Sequence, residues 1–139
     1  MMADPPLLYL RGAVCRVKFP SDEHPETHID KYALCLQEGR ILQNRRSFVG
    51  VLLTTCKDNN RPRVPAWKVF VPPTESHTDY GVIVDCGLIY TFPMADVLDY
   101  QYTLQPDTMQ KVDEALAYGV GFLKVEDLKK EQHKMTPQA

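Results

Sequence analysis

KYALCLQ, residues 31–37, and FVGVLLTT, residues 48–55, are two nearly continuous apolar runs in this 139-residue chain. Short apolar runs bounded by charged and turn-forming residues predict strands that are buried on both faces. Each run also has polar residues at one end, because Lys31 opens the first run and Thr54 and Thr55 close the second. A strand that served only a core would not require these groups, so both strand ends are candidates for chemistry.

Four further segments predict strands. In GAVCRVKF, residues 12–19, Cys15, Val17 and Phe19 alternate with charged residues and therefore share one face. The other three are WKVFV (67–71), VIVDCG (82–87) and MADVLDYQYT (94–103). Prolines and polar residues between the strands predict loops over 20–30, 38–47, 56–66 and 72–81. Six short strands separated by turns predict a small barrel or sandwich.

The pattern changes after residue 105. Met109, Val112, Leu116 and Val120 recur at helical spacing, and Gly119 and Gly121 are placed to end a helix. The sequence therefore predicts a mainly β fold with a C-terminal helix. The length suits a single domain spanning 1–139, with residues 123–139 as a charged helical or frayed tail.

Composition favours a globular protein. Apolar residues make up 44% and charged residues 24% of the chain, and no apolar run approaches the 18 residues of a membrane-spanning helix. The N-terminus lacks the basic start and apolar stretch of a signal peptide. We therefore expect a soluble, cytoplasmic protein that does not contact a membrane.

No metal or cofactor site is predicted. The cysteines are never closer than 20 positions, so they form no local metal-ligand pair. We expect reduced, structural thiols, with a disulfide or a metal site assembled from distant cysteines as the alternatives. His24 and His28 have the spacing of two ligands on one helical face, but Pro25 between them opposes a helix.

Charge is unevenly distributed along the chain. Residues 40–68 contain seven basic residues against one acid, whereas residues 75–139 contain eleven acids against five bases. This asymmetry indicates an anionic partner for the middle segment, the alternative being solvated loops that serve solubility. The candidate RNA-binding residues are Arg45, Arg46, Lys57, Arg61, Arg63 and Trp67. Trp67 would stack on a base, the alternative being a core position.

RNA cleavage without a metal needs a base, a cation near the phosphoryl oxygens and a proton source for the leaving oxygen. Lys31 and Thr54 are suited to the last two roles, and strand ends would hold both rigidly beside the basic loops. Sequence signatures of Ser-His-Asp or Cys-His catalysis and of Gly-rich phosphate loops are lacking.

The order RGAVCRVKFP, DKYALCLQ, VGVLLTT, GLIYTFPMADVLDYQYTL and a terminal helix resembles the PemK/MazF family of toxin-antitoxin ribonucleases, over about residues 8–122. The resemblance implies an SH3-like barrel of the CcdB/MazF/PemK type that forms a homodimer. It also implies metal-independent cleavage of single-stranded RNA, inhibited by an antitoxin that blocks the RNA groove.

The resemblance also assigns residues. The family's catalytic threonine or serine falls on Thr54, with Thr55 beside it, and its catalytic arginine falls on Lys31. The proline that follows this arginine falls on Tyr32, and the acidic residue after the opening glycine falls on Ala13. Lysine lacks the two-pronged donor geometry of arginine, so the resemblance implies a weakened nuclease.

Three functions follow from these observations. The leading hypothesis is an endoribonuclease in which Lys31 stabilises charge and Thr54 donates its hydroxyl to the scissile phosphate. The second is a catalytically silent barrel that binds nucleic acid or a protein partner through its basic loops. A gyrase-directed toxin of the CcdB kind ranks third, because no matching C-terminal signal is found.

Overall fold

A computed structural model describes residues 10–21, 23–24 and 26–124, so nearly all of the predicted tail lies outside the described residues. The described strands form one antiparallel sheet in the order β4-β5-β3-β2-β1-β6. The predicted mainly β fold with a C-terminal helix is confirmed. The elements in chain order are β1 (Ala13–Pro20), β2 (His28–Cys35), α1 (Gly39–Leu42), β3 (Ser47–Thr55), β4 (Lys68–Val71), α2 (Pro73–Ser76), β5 (Val82–Pro93), β6 (Val97–Thr103) and α3 (Pro106–Gly119).

Several predicted boundaries were wrong. β2 begins at His28 because the β1–β2 hairpin pairs Pro20 with His28, inside the predicted loop. The predicted loops 38–47 and 72–81 contain the short helices α1 and α2, and α1 buries Leu42. β5 runs to Pro93, and a 3-10 turn over Met94–Asp96 delays the start of β6 to Val97.

The sheet is buried on both faces where the two apolar runs pair. One face, which includes Leu34 and Leu53, packs against Val112 and other buried residues of α3. The other face lines the inside of the curled sheet and includes Cys15, Ala33 and Phe48. Neighbouring residues of β2 therefore enter different cores, which explains why its apolar run does not alternate with polar residues.

The sheet curls into a small barrel. β2 and β3 separate β1 from β5 in the strand order, yet the Phe19 ring lies 5.3 Å from the Tyr90 ring and 6.4 Å from the Phe92 ring, between centroids. The pairing of β3 with β5 is irregular between Gly50 and Leu52, which pair with Tyr90 and Asp85. Three additional residues of β5 lie between these pairs, and such an irregularity bends a strand and increases its twist.

Helix α3 covers the outer face of the sheet. Met109, Val112 and Ala115 are buried, whereas Val120, predicted on the apolar face, lies past the helix end and is 59% exposed. Glu75 accepts hydrogen bonds from the Gln105 backbone N–H and the Thr108 hydroxyl, both at 2.7 Å, and so fixes the helix start. Within the described residues, no helix has the length and apolar character needed to span a bilayer.

Candidate active site

The register of β2 and β3 relates the two polar residues that the sequence singles out. Lys31 was predicted to open its strand, but it lies inside β2, where it pairs with Val17 of β1. The β2–β3 ladder pairs Ala33 with Leu52 and ends at Tyr32 with Leu53, so Lys31 and Thr54 are the next residues beyond its last pair. Lys31 and Thr54 thus share the face of Ala33 and Leu52, which line the inside of the barrel.

The two side chains lie at the rim of the barrel interior. Lys31 is half-buried and Thr54 is exposed, so both are accessible from solvent. The Lys31 ammonium nitrogen lies 4.7 Å from the centroid of the Phe19 ring. This cation–π contact restrains a long, flexible side chain and leaves the ammonium hydrogens free to meet an anion.

A row of side chains crosses the sheet from Thr54. Thr54 pairs with Ile83 of β5, and Ile83 pairs with Phe70 of β4. Residues that are paired across neighbouring strands point to one face, so Thr54, Ile83 and Phe70 form a single row, and Lys31 lies on the same face. Asp85 and Lys68, which pair with each other, lie one row away on the same face.

Arg61 joins the far end of this row. Its guanidinium carbon lies 5.4 Å from the centroid of the Phe70 ring. Arg61 and Phe70 line a cleft of about 320 Å³ between the β3–β4 loop, the edge strand β4 and helix α3. Lys68 and Lys111 add positive charge to the cleft, Glu114 adds one carboxylate, and Tyr118 adds a second aromatic ring.

The two basic loops lie at opposite ends of β3. Arg45 and Arg46 precede the strand, and about 25 Å of extended chain separates them from Thr54 along it, at roughly 3.3 Å per residue. Lys57, Arg61 and Arg63 belong to the loop that follows Thr55 directly, and all three are exposed. The prediction placed both loops beside the strand ends, whereas only the second lies at the Thr54 end of β3.

Thr55 and Trp67 have other surroundings. Thr55 pairs with Val82, and because side chains alternate along a strand it points to the face opposite Thr54. Trp67 is half-buried, and its indole packs so closely on Gly87 that a Cβ there would lie 2.9 Å from the ring. The Trp67 carbonyl also accepts a hydrogen bond from the Cys86 N–H at 2.9 Å.

Cysteine and histidine chemistry is not supported at this site. Burial, and then the charge of Asp58, raise the pKa of the Cys56 thiol, so it stays protonated near neutral pH and is a poor nucleophile. All four cysteines are free. His24 lies in the β1–β2 loop and His28 in β2, and the part of the chain that the structure describes contains no group of three metal-ligating side chains.

Two carboxylates near the β2 strand, Asp30 of β2 and Asp99 of β6, form ion pairs with Arg16. Arg16 donates to Asp99 at 2.7 Å and to Asp30 at 3.1 Å, on the outer face of the barrel. The Arg16 hydrogen bond lowers the pKa of Asp99, which is the direction expected for a carboxylate in an ion pair. Neither carboxylate shares the face of Lys31.

Phe19, Ile83 and Phe70 were not predicted as neighbours of the site. Each was assigned to a predicted strand, and their relation to Lys31 and Thr54 depends on strand pairing between distant segments. The position of Arg61 only four residues after Lys57, in a loop with two prolines, gave no sign that it stacks on Phe70.

Comparisons with known proteins agree with this architecture. A family model described as PemK-like, MazF-like toxin of type II toxin-antitoxin system matches residues 10–119. An endoribonuclease in complex with its cognate antitoxin, from a Mycobacterial species, is 25% identical, with a TM-score of 0.65 over 83% of this chain and 97% of that chain. Another endoribonuclease from a Mycobacterial species is 26% identical, with a TM-score of 0.62 over 87% of this chain and 96% of that chain.

A more distant structure supports the fold alone. The MazE-MazF structure from Deinococcus radiodurans is 15% identical, with a TM-score of 0.63 over 82% of this chain and 96% of that chain. No curated protein matches the sequence. The predicted SH3-like barrel of the CcdB/MazF/PemK type is confirmed, and because the family model spans most of the described barrel and α3, the chain belongs to the PemK-like, MazF-like family of type II toxin-antitoxin toxins.

Proposed function

We propose that this chain is a metal-independent endoribonuclease that cleaves single-stranded RNA in the cytoplasm. The observation that carries the proposal is that Lys31 and Thr54 lie on one face of the sheet, each one residue beyond the last β2–β3 pair, at the rim of the barrel. Its support is the family membership and the likeness to two endoribonuclease structures.

In the proposed reaction, the ribose 2′-oxygen attacks phosphorus and the bond from phosphorus to the 5′-oxygen breaks. The 2′-proton passes to a base and the 5′-oxygen receives a proton. Lys31 stabilises the negative charge that grows on the phosphoryl oxygens, and Thr54 donates its hydroxyl to the same phosphate. Lys57 and Arg63 would hold the neighbouring phosphates, because their loop begins directly after β3, and Arg61 would contact the RNA from the same loop. Arg45 and Arg46 would contact RNA farther from the scissile phosphate, and Trp67 remains a proposed stacking residue.

A test of this function uses a long single-stranded RNA with a chelator present. Thr54→Val removes only the hydroxyl, and Lys31→Met keeps side-chain length without the charge. We expect each change to slow cleavage on the order of 100-fold, because removal of one donor to a developing oxyanion typically costs 10² to 10³ in rate. Thr55→Val should cost less, since Thr55 points to the other face.

Thr91→Val is the matched control, because Thr91 is an exposed strand threonine in β5. Wild-type protein that leaves the RNA intact, yet binds it in a salt-sensitive manner, would contradict the nuclease and favour the silent barrel. Equal cleavage by Thr54→Val and wild type would contradict the role of Thr54.

We also infer two protein partners. One structural relative is in complex with its cognate antitoxin, which supports an antitoxin as a partner of this chain. A homodimer is supported by exposed apolar side chains on two adjacent segments, Leu88 and Ile89 of β5 and Val120 and Phe122 after α3. These segments are adjacent because Gly119 lies directly against the Cys86 carbonyl. Exposed apolar patches of this kind mark interaction surfaces.

A further inference from the structure

We propose that Arg61 and Phe70 form a subsite for a base of single-stranded RNA that flanks the scissile phosphate, an inference that rests on the proposed function. Three observations carry it: the row that joins Phe70 to Thr54, the guanidinium over the Phe70 ring and the cleft beside that pair.

The row sets the distance. Thr54 and Phe70 are two strand spacings apart, which is roughly 10 Å at about 4.8 Å per spacing. Consecutive nucleotides of a stacked strand rise about 3.4 Å, so this length accommodates more than one nucleotide. An RNA whose phosphate meets Lys31 and Thr54, and which crosses the strands along this row, brings a flanking base to Phe70.

The chemistry of the cleft suits a base better than a plain anion. A planar guanidinium and an aromatic ring are the surfaces on which unstacked RNA bases pack. Phe70 is fixed in place, because its ring packs on Gly81 so closely that a Cβ there would lie 2.9 Å from two ring atoms. Lys68 and Lys111 supply charge for a phosphate, while the Glu114 carboxylate offers an acceptor for base N–H groups and disfavours an acidic peptide.

The test measures how binding depends on RNA length. The probes are fluorescein-labelled random pools of 2′-O-methyl RNA, two and eight nucleotides long, which lack the attacking 2′-hydroxyl. A dinucleotide held at Lys31 and Thr54 spans only about 3.4 Å and does not reach Phe70. Phe70→Leu and Arg61→Gln should each weaken binding of the eight-nucleotide probe about fivefold or more, the lower end of a base-stacking contribution, and change binding of the two-nucleotide probe much less.

Lys18→Gln is the control, since it removes one exposed positive charge from the other face of β1. Arg61 is itself exposed, so Arg61→Gln keeps the test valid if Phe70→Leu proves unstable. Unchanged length dependence in both variants, or an octaglutamate peptide that binds as tightly as the eight-nucleotide RNA, would overturn the subsite. An inactive wild type that still shows the Arg61- and Phe70-dependent effect would contradict the nuclease and leave the subsite supported.

Discussion

At the scale of single residues, the identity of the cation at position 31 sets the cleavage rate expected of the proposed nuclease. Lysine presents one compact charge, whereas arginine presents a planar fork that bonds two phosphoryl oxygens at once. We predict that Lys31→Arg raises the cleavage rate on the order of tenfold or more, because a second donor then meets the developing charge. Arginine also keeps the cation–π contact with Phe19. The measurement is single-turnover cleavage of one RNA by both proteins.

Lys18→Arg makes the same exchange on the opposite face of the neighbouring strand and should leave the rate unchanged. A Lys31→Arg protein that is slower than wild type, yet equally stable, would show that the Lys31 ammonium does more than neutralise charge.

At the scale of elements, the contact of α3 with β5 leaves no space for a side chain at Gly119. A Cβ on Gly119 would lie 1.9 Å from the Cys86 carbonyl oxygen and 2.7 Å from its carbon. Since both atoms are backbone, Gly119→Ala requires the helix end to move away from the sheet. We predict a loss of about 2 kcal/mol or more in the free energy of unfolding, as for other overpacked sites. Urea denaturation measures it.

Gln110→Ala, at an exposed position of the same helix, should change the free energy of unfolding by less than about 0.5 kcal/mol. If Gly119→Ala were as stable as wild type, the close approach of the helix end to β5 would not be maintained in solution.

At the scale of the whole molecule, the exposed apolar patch around Phe122 predicts self-association. Phe122 is 83% exposed and Leu88 is 56% exposed, on segments that meet where α3 contacts β5. We predict a solution mass of twice 15.9 kDa for the wild type. Phe122→Ser and Leu88→Ser should each shift this mass toward the monomer, because they remove apolar area from the interface. Light scattering over a concentration series measures the mass.

Tyr80→Ser is the matched control, since Tyr80 is exposed near the opposite end of β5. A wild-type mass of one chain at every concentration would contradict the homodimer.

The sequence was sufficient for the existence of the six strands and the C-terminal helix, but not for all of their bounds. Alternation in GAVCRVKF and the unbroken apolar runs of β2 and β3 are local signals with a period of two residues, and the spacing of Met109, Val112 and Leu116 is a local helical signal. Short helices such as α1 were not predicted, because four residues are too few for a helical pattern of apolar residues to be recognised.

The sequence alone also singled out Lys31 and Thr54, although Lys31 lies inside β2 and does not begin it. Only the tertiary structure decided that they share one face, that Ile83 and Phe70 lie in a row with Thr54, and that Arg61 covers the Phe70 ring. It also separated the loop of Arg45 and Arg46 from the Thr54 end of β3. The physical reason is that the spacing of apolar residues is a property of one segment, whereas the register of paired strands is set by hydrogen bonds and packing between segments far apart in the chain.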